Sequence, residues 1–257
     1  MWTSISKPSV RAEDGCKERG KTVRIFVINP NTSDSMTEHI RQELEKVRRP
    51  DTELTVVNPE HGPVSIESAY DETLAGPPTL ELVRRANEEG YDAIVLACFS
   101  DPALDAAKEI SDIPVIGIEE ATLHVAAMLG HKFSITTAFR NRVPTRELHS
   151  RLRGLDNAYA STLVLNMSVL EMDADPKKAK ARILELARKA VQEDGAEVII
   201  LGCAGLAGYA EDIERELGVV VLDPTSVAFK VAEAIADLGL RHSKVGRFAR
   251  PPVKEIK

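Results

Sequence analysis

The sequence predicts an α/β protein of two pseudo-symmetric lobes. Each is a four-stranded parallel sheet in flavodoxin-like order flanked by helices, with the active site in the cleft between them. Three observations carry this reading. Apolar, β-branched runs alternate with amphipathic stretches from Thr22 to Leu238, the pattern of parallel sheets covered on both faces. Two of those runs close on cysteine, Asp92-Ala93-Ile94-Val95-Leu96-Ala97-Cys98 and Glu197-Val198-Ile199-Ile200-Leu201-Gly202-Cys203, with the thiols 105 positions apart. The same offset lays Glu88-Glu89-Gly90 over Glu193-Asp194-Gly195, and Pro114-Val115-Ile116-Gly117-Ile118 over Val219-Val220-Val221-Leu222-Asp223. An offset held across two strands and the helix between them points to an internal duplication with one thiol in each half.

Taken in order, residues 1–21 read as a flexible N-terminal tail that includes Cys16. The first lobe spans 22–130. It opens on the strand Thr22 to Ile28, then the turn Asn29-Pro30-Asn31-Thr32-Ser33, dense in capping residues. A helix follows with Met36, Ile40, Leu44 and Val47 on one face. Glu53 to Val57 is a strand, Asn58 to Ser68 a long loop, and Pro78 to Glu89 a helix ended by Gly90. The Cys98 strand exits through Cys98-Phe99-Ser100-Asp101-Pro102, with Pro102 in the first turn of the next helix. The strand Pro114 to Ile118 and the helix Glu119 to Leu129 complete the half.

The second lobe, 131–240, repeats the scheme. Its strands are His131 to Thr137, Ser161 to Leu165, Glu197 to Gly202 and Val219 to Leu222. Its helices run to Leu152, from Lys177 to Glu193, to Leu217 and from Ser226 to Leu238. Residues 241–257 read as a C-terminal tail packing on the surface.

Composition excludes several classes. With 257 residues, 43% hydrophobic and 28% charged, the chain can bury a large core. Its net charge of −7 without a basic block disfavours nucleic acid and anionic membranes. Its apolar stretches are too short to span a bilayer, and no apolar leader segment is evident. Three cysteines without framework spacing indicate a reduced, cytoplasmic protein. There is no C-x-x-C and no histidine within four residues of Cys98 or Cys203, so no metal is expected.

Flavodoxin-like order places the switch point between strands one and three of each lobe, where ligands bind beyond the carboxyl ends. That selects the loops Asn29 to Ser33, Cys98 to Pro102, Thr136 to Arg142 and Cys203 to Gly208. Cysteines ending apolar strands are commonly structural. Here both stand at strand-to-helix turns in matched positions, where a helix N-terminus favours the thiolate. Two thiols facing each other across a cleft suit a carbon acid, one removing a proton and the other returning one to the opposite face. Main-chain N–H groups after Cys98 and Cys203, with Gly205 and Gly208 allowing close approach, would stabilise the enolate.

The chain resembles the hydantoin racemase family. The resemblance rests on Ile28-Asn29-Pro30-Asn31-Thr32-Ser33, Gly62-Pro63-Val64-Ser65-Ile66-Glu67 and Ala97-Cys98-Phe99-Ser100-Asp101-Pro102 with Leu104-Asp105. Pro114 through Ala121, Leu201-Gly202-Cys203-Ala204-Gly205-Leu206, and the late Ser243-Lys244 and Pro251-Pro252 add to it. The resemblance implies cofactor-independent racemisation of a 5-substituted hydantoin or allantoin, with Cys98 and Cys203 as the two acid/base residues. It implies a small-molecule substrate held by Asn29, Asn31, Ser65, Ser100 and the backbone at Ala204 and Gly205, with Phe99 and Ile66 against the ring substituent. It also implies a homo-oligomer.

Plain structural roles compete at several positions: turn and cap for Asn29 and Asn31, core packing for Phe99, helix capping for Asp101 and Glu119, a solvated helix start for Arg140 and Arg142. Amino-acid racemases of the wider aspartate/glutamate racemase superfamily place Thr after the second cysteine; here it is Ala204. Neither cysteine loop carries Lys or Arg, which favours an uncharged ring. Other readings are an amino-acid racemase, a maleate isomerase-like or decarboxylase reaction on the same scaffold, or a non-catalytic two-lobed binder. The six histidines are scattered; His61 precedes Ser65 in the long loop.

Overall fold

A computed structural model describes residues 22–252 and 254; the expected tail 1–21 with Cys16 lies outside the described residues. Strands β1 (Val23–Ile28), β2 (Thr52–Val57), β3 (Ala93–Leu96) and β4 (Val115–Gly117) form one sheet in the order β2-β1-β3-β4. Strands β5 (Phe133–Thr137), β6 (Tyr159–Val164), β7 (Val198–Ile200) and β8 (Val220–Leu222) form a second in the order β6-β5-β7-β8. Every pairing is parallel. All four residues of β3 and all three of β7 are buried, as befits strands covered on both faces. The architecture and strand order are those expected.

The helices are α1 (Asp34–Val47), α2 (Ala69–Glu88), α3 (Leu104–Ile110), α4 (Ile118–Leu129), α5 (Val143–Leu152), α6 (Val169–Ala174), α7 (Pro176–Lys189), α8 (Ala210–Leu217) and α9 (Pro224–Asp237). Ser33 caps α1 by accepting from the Met36 N–H, and the helix buries Met36, Ile40 and Leu44. The offset-matched Gly90 and Gly195 both take left-handed φ, 73° and 71°, which lets each preceding helical segment end and turn into a strand.

Some boundaries differ from the sequence reading. Helix α2 starts at Ala69, not Pro78. Ser68 caps it, Asp71 and Glu72 suit its first turn, and Pro77 and Pro78 lie inside it. A start that strong carries the helix through two missing N–H groups. Helix α3 starts at Leu104, after Pro102, because Asp101 and Ala103 take positive φ, 47° and 56°, and turn the chain first. Helix α7 ends at Lys189 and passes into a wide turn over Ala190–Asp194. The short helix α6 has no counterpart in the sequence reading, although Ser168 and Glu171 form a reciprocal capping box.

Packing crosses the division of the chain at residue 130. Helix α9, from the end of the chain, packs on β1, β3 and β4 of the first sheet, while α4 contacts β7 and β8 of the second. The two helices also pack on each other. The central core therefore mixes Ile25, Val95 and Ile118 with Phe133, Ile200 and Phe229. Glu233 of α9 accepts from Thr52 Oγ1 at 2.7 Å and Arg49 N at 3.1 Å, fixing α9 to the start of β2. Separate outer cores lie behind each sheet. In the C-terminal tail, His242 Nε2 accepts from the Val115 N–H at 2.7 Å, covering the edge strand β4. Lys244 donates to the carbonyl of Glu109 at 3.0 Å. No helix among the described residues is long and apolar enough to cross a membrane.

Candidate active site

The carboxyl ends of both sheets open on one cavity of about 60 Å³. A water molecule needs roughly 10–15 Å³ on such a measure, so the space takes an object on the scale of one small ring. The loops that follow β1, β3, β5 and β7 all reach it, through Asn31, Cys98, Ala138 and Cys203. Cys98 and Cys203 thus share one cavity, and neither is part of a disulfide.

Of the residues singled out in the sequence, Asn31, Ile66, Cys98, Phe99, Ser100, Cys203 and Ala204 line this cavity. Asn29, Ser65 and Gly205 are not among its lining residues. Asn29 is fully buried and shapes the loop, donating to Asn31 Oδ1 at 2.9 Å and Thr37 Oγ1 at 3.0 Å. Asn31 in turn donates to Met36 Sδ at 3.2 Å. A Cβ on Gly205 would sit 3.6 Å from Cys203 Sγ, in ordinary contact. Gly208 serves the turn and not the cleft: its φ is 86° and a Cβ there would meet the Glu43 carboxylate at 2.5 Å. His61 does not line the cavity either.

The electrostatics differ from expectation in two ways. First, no long helix follows either thiol directly. After Cys98 the chain turns before α3, and after Cys203 comes a single 3-10 turn, Ala204–Leu206. Burial therefore decides, pushing the Cys98 thiol up to about 12. The Ser100 hydroxyl, 3.4 Å away, the Ser100 N–H and the Arg146 charge act in the opposite direction. Second, the cavity is not free of cations: Arg142 and Arg146, from the start and middle of α5, line it. Arg142 is ion-paired to Glu72 of α2. Arg146 donates to the Phe99 carbonyl and to Glu119 Oε1 at 2.6 Å, and its guanidinium lies 5.1 Å from the centre of the Phe99 ring. Each arginine is thus already matched to a carboxylate, so the cavity offers no unopposed positive charge to a dianionic substrate.

Beneath the Cys98 turn lies a buried ionic cluster. Glu119, with no exposed surface, is bonded to Arg146 and to His149 Nδ1 at 2.5 Å, and Arg153 stands 3.8 Å away. Burial opposes its ionisation, but those three neighbours outweigh it and hold the carboxyl below its ordinary range. Asp101 accepts from the N–H groups of Glu119 and Glu120 at 3.0 and 2.8 Å and from Arg153 at 3.1 Å. It therefore caps α4 rather than its own helix. Burial, then the Glu119 charge, push its carboxyl up to about 7. Gly117 is obligatory here, since a Cβ would fall 2.4 Å from the Asp101 carboxylate. Among the described residues no group of three or more His, Cys, Asp or Glu is placed to hold a metal ion.

A family model described as Asp/Glu/Hydantoin racemase matches residues 25–232. A hydantoin racemase of Paenarthrobacter aurescens is 41% identical over 91% of this chain and 99% of its own length. One from Pseudomonas sp. (strain NS671) is 40% identical over 91% and 94%. The solved allantoin racemase from Klebsiella pneumoniae superposes with a TM-score of 0.88 at 40% identity, covering 91% of this chain and 96% of that one. The chain belongs to the Asp/Glu/Hydantoin racemase family.

Proposed function

We propose that this member of the family racemises a 5-substituted hydantoin or allantoin, without a cofactor, by proton transfer between two thiols. The observation that carries the reading is that Cys98 and Cys203 line one cavity of ring size. The acidic centre is C5, adjacent to the ring carbonyl. One cysteine, as thiolate, takes the C5 proton; the electron pair moves onto the carbonyl oxygen; the other cysteine, as thiol, returns a proton to the opposite face. The first cysteine ends as thiol and the second as thiolate, ready for the reverse direction. Burial keeps Cys98 in the thiol form the acid role needs, while Ser100 and Arg146 favour the thiolate its base role needs. Ala204 lines the cavity at the first position of its turn, and its N–H is the main-chain donor assigned to the developing oxyanion. Asn31 and Ser100 bind ring polar atoms, and Ile66 and Phe99 bound the C5 substituent.

The two enantiomers are equal in energy, so kcat/KM must be the same in both directions. Loss of either thiol then stops both. Cys98→Ser and Cys203→Ser are each expected to lower racemisation by roughly 10²–10⁴-fold, followed by decay of circular dichroism from pure enantiomers of allantoin and of alkyl and aryl hydantoins. Wild-type rates in both variants would end the two-thiol reading. The unbridged thiols suit a reducing, cytoplasmic setting. Exposed Met128, Leu129, Leu238 and Leu240 at the ends of α4 and α9 fit a homo-oligomer, checked by light scattering.

A further inference from the structure

Helix α5 and its flanks carry a basic stripe. Arg142, Arg146, His149 and Arg153 recur at helical spacing, and their acidic partners are Glu72, Glu119 and Asp101, all from the first half of the chain. Helix α5 itself packs on β6 of the second sheet. The stripe thus fastens the Cys98 turn to the opposite sheet. Arg146 is its centre: nearly buried, bonded at once to Glu119 and to the carbonyl of the residue after Cys98, and exposed to the cavity on one side.

We propose that Arg146 is a positioning residue for Cys98, fixing the Cys98 turn relative to the second sheet and presenting a positive charge to its sulfur. The proposal rests on the two-thiol reading for its meaning in catalysis, but not for its physics. A two-thiol transfer needs the two sulfurs at a set separation, and the two sit on different sheets. An ionic contact that runs from α5 to the Cys98 turn is placed to set that separation. The other charged or titratable groups lining the cavity are Glu67, Arg142 and Cys203, and Glu119 stands behind Arg146. Arg142 is matched to Glu72, while Arg153 reaches the same turn from outside the cavity, through Asp101, and His149 pairs with Glu119. The contact with Phe99 makes Arg146 the cavity-lining cation tied directly to the Cys98 turn.

The test reads thiol reactivity in the intact chain without substrate. Iodoacetamide labelling rates of Cys98 and Cys203 at one fixed, mildly alkaline pH are followed by peptide mass spectrometry in wild type, Arg146→Gln, Arg146→Lys and the exposed-face control Arg151→Gln. Arg146→Gln is expected to slow Cys98 labelling by roughly tenfold, more than that of Cys203, with Arg146→Lys returning it toward wild type and Arg151→Gln unchanged. In parallel, kcat/KM for both enantiomers should fall at least tenfold in Arg146→Gln. A Cys98 rate that stays put, or one that falls no more than that of Cys203, overturns the proposal. Should Arg146→Gln not fold, Arg146→Lys carries the test: an unaltered Cys98 rate with lowered kcat/KM supports it, and wild-type values of both overturn it. If wild type racemises nothing, the function fails while the labelling result stands by itself.

Discussion

The Cys98 and Cys203 turns occupy matched places in two sheets of the same topology, yet different forces hold them. Beneath Cys98 the contacts are ionic: Asp101, Glu119, Arg146 and Arg153 form a buried cluster. Beneath Cys203 they are apolar and backbone: Leu201, Leu206 and Ile213 pack there, Cys203 N donates to the Leu201 carbonyl at 2.7 Å, and Gly202 N donates to Thr136 Oγ1 at 2.9 Å. Both turns are nevertheless tied by one carboxylate to the helix that follows the next strand. At Cys98 it is Asp101 of the turn that caps α4. At Cys203 it is Asp223, which caps α9 and accepts from Gly208 N of the turn at 3.3 Å. A duplicated scaffold thus keeps the mechanical link while the carboxylate moves from one end of it to the other. The requirement is a fixed turn, and two chemistries meet it.

The largest effect should come from cutting the ionic side. Glu119→Gln leaves the buried Arg146 without its carboxylate, while Arg153 keeps Asp101, and such a change typically costs about 3–5 kcal/mol. Asp223→Asn removes charge from a helix cap but leaves a side chain that still accepts, so a loss of about 1 kcal/mol or less is expected. Urea unfolding of the two variants gives both numbers. Equal losses would mean that the two turns are held alike, and the contrast drawn above would fall.

Sequence patterning reached the sheets because parallel strands buried on both faces leave continuous apolar runs, and right-handed crossovers leave few orders for them. It reached the cavity-forming loops through the switch-point rule. It missed what depends on tertiary approach. Arg142 reads in isolation as a solvated helix start, and becomes a buried pair only because α2 brings Glu72 to it. A signal was nonetheless present, since Arg142, Arg146, His149 and Arg153 trace one helix face among polar neighbours. The thiol environment escapes sequence patterning for a similar reason. A helix N-terminus was expected next to Cys98, but positive φ at Asp101 and Ala103 delays α3, and desolvation outweighs the remaining local donors.

A pH titration of stability sharpens the comparison at a smaller scale. The Asp101 carboxyl is raised from 3.8 to about 7. Between about pH 4 and 7 the folded chain keeps a proton that the unfolded chain releases. Its contribution therefore favours the fold at low pH and is lost as pH rises through that window, with a slope approaching about 1.4 kcal/mol per unit. Asp101→Asn removes this slope. The stability of the variant relative to wild type should climb from pH 4 to 7 and then level off, as read from urea midpoints. A difference independent of pH would show that the Asp101 carboxyl ionises normally.

The smallest expected effect concerns a single hydroxyl. Ser100 Oγ lies 3.4 Å from Cys98 Sγ, and the offset-matched position on the other side is Gly205, which has no hydroxyl to offer Cys203. Ser100→Ala removes one donor and leaves the Ser100 N–H in place. A neutral hydrogen bond is worth about 1 kcal/mol, so kcat and the Cys98 labelling rate at fixed pH should each fall by up to roughly fivefold. The converse change is sterically open. A Cβ at Gly205 would lie 3.6 Å from Cys203 Sγ and 3.9 Å from Met36 Cε, both ordinary contacts, and Gly205 does not use a left-handed φ. Gly205→Ser should therefore fold, and should raise the Cys203 labelling rate at fixed pH by a similar factor while leaving that of Cys98 in place. If the added hydroxyl leaves both rates unchanged, a hydroxyl at this place in the turn does not tune its thiol, and the role given to Ser100 falls.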